Sequence, residues 1–133
     1  MNKMPTFASS MNSIAHKMPK WSVILVAFVG LLIATLPANI AWYHTTGTES
    51  TLSFPAIFGI SMFFVMLEYL VVLPINQLAG SRISLVEVNI IEYVSLVMGS
   101  LFYLLIIRKQ RFGWAQYTGL ALAALGGGIG LSA

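Results

Sequence analysis

Glu68 and Glu92 stand inside long apolar runs of a 133-residue chain whose four acidic residues are all glutamate. A charged side chain in hydrocarbon costs about 2.5–3.5 kcal/mol on insertion scales, so it persists where it meets an ion, a proton or a polar cargo. Carboxyls withdrawn from water and set near one another can take up and release protons near physiological pH, and protonation would then compete with a cationic or polar substrate. Tyr69 and Tyr93 follow the two glutamates directly and point to other helix faces, where they are expected to hydrogen-bond across helices, stack on a ligand or simply pack. With Asn76 these residues form the candidate set for substrate or proton binding. The alternative is structural, each glutamate staying protonated and bonding a backbone carbonyl or Asn76, Asn89 or Ser95.

The elements that must carry these side chains follow from composition. The chain is 58% hydrophobic and 8% charged, far too apolar for a soluble domain of this length. A spanning helix needs about 20 mostly apolar residues, and four such runs occur, at 21–43, 54–78, 83–107 and 112–131. The expectation is an all-α integral membrane four-helix bundle over 21–133, preceded by a polar, basic tail at 1–20. That tail begins like a secretory signal, but the apolar run after it is too long and lacks a convincing cleavage site, so it is read as retained. It is expected either to lie against anionic headgroups or to stay disordered.

Counting from the turn between the second and third runs, Glu68 and Glu92 both fall ~13–15 Å from one membrane face, near the middle of a core about 30 Å thick. They are expected to meet at one level. Glu87 lies close to the turn and is expected to snorkel toward headgroups or to meet Arg82. Pro37 and Pro74 lie inside the first two runs, and Pro37 leaves the Ile33 carbonyl without its helical donor, which predicts a kink. Both prolines belong to Leu-Pro-x-Asn segments, Leu36–Asn39 and Leu73–Asn76. A match of four residues in apolar sequence is short enough to arise by chance.

In the fourth run, small residues recur every fourth position at Ala115, Gly119, Ala123 and Gly127, and Gly126 with Gly130 forms a second row. Such a face lets backbones approach closely, which is how helices associate in lipid. It is assigned to a contact with a second copy of the chain, with packing inside one subunit as the alternative. Orientation is nearly balanced. Lys3, Lys17, Lys20 and Arg82 fall on the side of the N-terminus, and Arg108, Lys109 and Arg111 on the other. The first helix usually dominates, which predicts an N-inside orientation, while insertion in both directions with antiparallel pairing is the alternative.

Ala41-Trp42-Tyr43-His44, Glu68-Tyr69, Pro74-Ile75-Asn76-Gln77, Ile83-Ser84-Leu85, Ile90-Ile91-Glu92 and Trp114 together resemble a small family of uncharacterised four-helix bacterial membrane proteins in the drug/metabolite transporter superfamily. The resemblance implies a small multidrug-resistance-like half-transporter in the bacterial inner membrane, pairing as a homodimer around one chamber for a small molecule. The chain departs from the family pattern by carrying Glu92-Tyr93 where the pattern has Gln-Glu. This moves the acid by one residue, ~100° around a helix, so Glu68 is the firmer carry-over. Ile75-Asn76-Gln77 likewise replaces an Ala-Asn-Arg segment, so a basic residue is missing.

The function expected is small-molecule transport, coupled to protons in the sharpest form. The alternative is an assembly or accessory subunit that packs on a larger membrane protein. Membrane lipid is the expected surrounding partner, and no nucleic-acid partner is expected. No cofactor or metal is called for, and no enzyme activity is expected, because paired metal ligands, a serine–histidine arrangement and a cofactor fingerprint are all missing. The chain has no cysteine, which removes thiol and disulfide chemistry.

Overall fold

The computed structural model describes residues 4–46 and 51–132. Lys3, part of the charge tally above, residues 47–50 of the longest connection and Ala133 lie outside them. The described residues form five α-helices and one π-helical turn: α1 (Phe7–Lys17), α2 (Lys20–Tyr43), α3 (Phe54–Gly80), α4 (Leu85–Phe102), the π turn (Tyr103–Ile107) and α5 (Trp114–Ser132).

Among the described residues, three segments are long and apolar enough to cross a membrane, Lys20–Tyr43, Phe54–Gly80 and Leu85–Ile107, and the molecule is a membrane protein. This corrects the expected four-helix count in two ways. The segment at 1–20 supplies a helix of its own. The last helix falls short as a span because Gln116, Tyr117, Thr118 and a cluster of glycines dilute its apolar character.

Local chemistry sets the helix starts. Thr6 caps α1 by accepting from the Ser9 N–H at 3.1 Å. Ser53 precedes α3, with Pro55 in the first turn, where its missing N–H costs nothing. Ser84 and Glu87 form a reciprocal capping box at α4: the Ser84 hydroxyl accepts from the Glu87 N–H at 3.2 Å, and Glu87 Oε2 accepts from the Ser84 N–H at 2.9 Å. Glu87 also pairs with Lys20 at 3.3 Å. Arg82, its expected partner, instead donates to the Met18 carbonyl. Both α2 and α3 run through their prolines as continuous helices.

α2 is the hub. Its Val23, Ala27, Leu31 and Ala34 recur along one stripe and are buried with Val72 and Ala79 of α3, Ile83 of the turn, and Val88 and Ile91 of α4. Alanines on that stripe keep the helix thin enough for close approach, and in lipid association rests on such packing. α3 runs antiparallel to α2: Ser61 Oγ donates to the Ala41 carbonyl at 2.8 Å near one end, and Ile75 lies against Gly30 farther along. α4 runs parallel to α2, with Ser95 against Phe28 and Gly99 against Thr35. α3 and α4 both lean on α2 and touch each other only slightly, leaving a cleft with α2 as its floor.

The far end is held by aromatics and one arginine. Tyr103, buried in the π turn, stacks on Tyr43 at 6.4 Å, and Arg108 donates to the Thr46 carbonyl. Lys109 takes a left-handed conformation (φ 53°) and ends the helix. α5 then packs chiefly on α4 and buries none of its residues.

Candidate functional site

The cleft between α3 and α4 contains a cavity of about 220 Å³. Glu68 and Val72 line it from α3, Glu92 and Leu96 from α4, and Leu31, Ala34, Thr35, Ala38 and Trp42 from the floor. The two glutamates thus come from different helices to one space. Each is half-buried. Among the described residues neither carboxyl has a hydrogen-bond or ion-pair partner.

Among the described residues, none of the side chains named in the structural alternative bonds to either acid. Ser95 is fully buried and points its hydroxyl at the Phe28 carbonyl, 3.4 Å away. Asn89 is exposed and lines a separate groove against α5. Asn76 lies two turns from Glu68 on the same side of α3 but does not reach the cavity lining. Tyr69 and Tyr93 are 52% and 58% exposed and also lie outside the lining, Tyr93 facing the groove between α4 and α5.

Sequence reasoning overlooked the floor. Thr35 is buried, and its hydroxyl donates to the Leu32 carbonyl at 2.6 Å and lies against Gly99 of α4. The two carboxyls are the charged groups of the lining, and among the described residues no Lys, Arg or His joins them there. Trp42 supplies the one aromatic surface of that lining. The available signal was a hydroxyl in an apolar run, four residues before Asn39 and seven before Trp42.

The two Leu-Pro-x-Asn segments share a second property. Asn39 is fully buried, and its Nδ2 donates to the Thr35 carbonyl at 2.7 Å, yet its Oδ1 has no donor. Asn76 Oδ1 is also buried without a donor. An unmet acceptor in a membrane interior costs free energy.

Larger grooves exist elsewhere, with different chemistry. One of about 630 Å³ separates α4 from α5 near Tyr43, Phe112, Gln116 and Gly119, and one of about 550 Å³ lies near Trp21 and Gly128. Both are open and mainly apolar, and neither contains an acid or a base.

The small-residue stripe of α5 divides along its length. Gly127 lies against Val94 and Gly130 against Ile90, so this end packs within the subunit on α4. Ala123 is half-buried, while Ala115 and Gly119 are exposed, and a β-carbon on Gly119 would meet nothing within 4 Å.

Comparison with known proteins adds one match. The model of a family described as "Putative member of DMT superfamily (DUF486)" covers residues 22–129, from the first turn of α2 almost to the end of α5. No curated protein and no solved structure matches the chain.

Proposed function

The chain belongs to this DUF486 family of the drug/metabolite transporter (DMT) superfamily, and from that premise we propose that it is a transporter of small organic cations in the bacterial inner membrane. Glu68 and Glu92 bind the cargo or protons in exchange for it. The observation that carries this reading is the convergence of two unpaired carboxyls on one cavity that, among the described residues, no basic side chain lines. Such a lining attracts a cation or a proton, and the indole face of Trp42 adds a surface that favours cations.

A cavity of about 220 Å³ is smaller than the ~300–1,000 Å³ typical of small-molecule sites. A homodimer would enlarge it by setting a second copy across the open side of the cleft. The reading is tested with purified protein by adding a hydrophobic organic cation and recording proton release with an indicator dye. Release from the wild-type chain that is lost in Glu68→Gln supports the exchange, and equal release from both refutes it.

A second reading, that of an accessory subunit on a larger membrane protein, draws on α5, which buries no residue of its own. Obligate copurification with another membrane protein, with no cation-dependent proton release, would favour it.

A further inference from the structure

We propose that α1 is an interfacial anchor, lying in the headgroup layer of an anionic leaflet with Phe7 and Ile14 turned toward the acyl chains and Lys17, Lys20 and Arg82 facing the lipid phosphates. The helix is fastened where the membrane boundary must run. It packs on α3 through the fully buried Ala15, and Asn12 Oδ1 accepts from Gln77 Nε2 at 3.2 Å. Its C-terminal end is tied by Arg82, which donates to the Met18 carbonyl at 3.4 Å, and Lys20, the first residue of α2, pairs with Glu87 at 3.3 Å. This is the end at which α2 enters the bilayer, α3 leaves it and α4 returns.

The face of α1 beside that docked strip is apolar and uncovered. Phe7 and Ile14 are 55% and 47% exposed, and positions seven apart lie within about 20° of each other around a helix. Ser9, Ser13 and His16 fall on the opposite side. A helix with one apolar and one polar face at a membrane boundary lies in the plane of the interface.

Charge selects the lipid. Lys17 follows Ile14 by three residues, at the edge where a long cationic side chain reaches headgroups, and residues 1–20 contain no acid. Among the described residues, Lys17, Lys20 and Arg82 are opposed only by Glu87, which is already committed to the capping box. Basic clusters beside a spanning helix are attracted to anionic leaflets. The same contact would hold the N-terminus on one side and favour a single orientation over insertion both ways.

The absence of cysteine makes the test direct. The full-length protein is labelled with a spin probe at Phe7→Cys, Ile14→Cys, Ser9→Cys or Ser13→Cys and reconstituted in phosphatidylcholine bilayers with or without phosphatidylglycerol. With phosphatidylglycerol, labels at 7 and 14 should be several-fold more accessible to oxygen relative to an aqueous nickel reagent than labels at 9 and 13. The difference should shrink without the anionic lipid and in a Lys17→Gln, Arg82→Gln background. As a check free of labels, phosphatidylglycerol should slow amide hydrogen exchange across 7–17 in the unmodified chain. Equal accessibility at all four positions, or depth and exchange indifferent to phosphatidylglycerol, overturns the proposal.

Discussion

Thr35 of α2 occupies the space that a β-carbon on residue 99 of α4 would need. The two helices therefore close on each other beside the acidic cavity, and Thr35 serves both as a packing surface and as part of the lining. Gly99→Ala should force them apart and lower stability by about 1–3 kcal/mol, the usual cost of overpacking a close contact. Thermal unfolding in detergent measures it. Exchanging the pair, as Thr35→Gly with Gly99→Ala, should recover part of the loss, whereas a single Gly99→Ala variant as stable as the wild type would contradict the contact.

Neutralising either acid should separate the two sides of the proposed exchange. Glu68→Gln and Glu92→Gln preserve shape, so folding and oligomeric state by size-exclusion chromatography should be unchanged, while proton release on adding a hydrophobic cation falls. If both carboxyls serve one cavity, the double variant should be no worse than the more damaging single one. Fully additive losses would mean that the acids act at separate places.

Ser84 should matter more than its exposure suggests. Ser84→Ala removes a side-chain acceptor from the first turn of α4, and loss of such a cap costs about 1 kcal/mol. Lys20→Gln removes the exposed ion pair with Glu87 and, with unfolding read in detergent, should have a smaller effect. Unfolding midpoints of the two variants give the order, and the reverse order would show the ion pair to be the stronger fastening.

The divided stripe of α5 predicts divided outcomes. Gly127→Leu should loosen α5 from α4, because a side chain there meets Val94, and limited proteolysis near the α5 N-terminus should accelerate. Gly119→Leu has open space and should leave protomer stability unchanged. If α5 joins two copies through its exposed half, Gly119→Leu should weaken the dimer in crosslinking; an unaltered dimer would place the subunit contact elsewhere.

The long apolar runs around Glu68 and Glu92 were legible because spanning helices are specified by length and hydrophobicity, quantities that need no partner. The strict recurrence of Ala115, Gly119, Ala123 and Gly127 was equally plain, but recurrence names a helix face and not the neighbour that covers it. Only the packing reveals that Gly127 meets Val94 while Gly119 meets nothing. The segment before Lys20 carried a pattern too, in Phe7, Met11, Ile14 and Met18, overshadowed by its scattered lysines and prolines.

Sequence by itself determined that this chain lives in a membrane and, within a residue or two, where its main helices begin and end, because each follows from the local cost of placing polar groups in hydrocarbon. The tertiary structure alone decided that α2 is the floor between those acids, that Thr35 and Trp42 complete the lining, and that α1 is fastened at the α3–α4 turn. Those outcomes depend on how helices rotate and cross, and small differences in side-chain volume set that geometry through contacts between residues far apart in the chain.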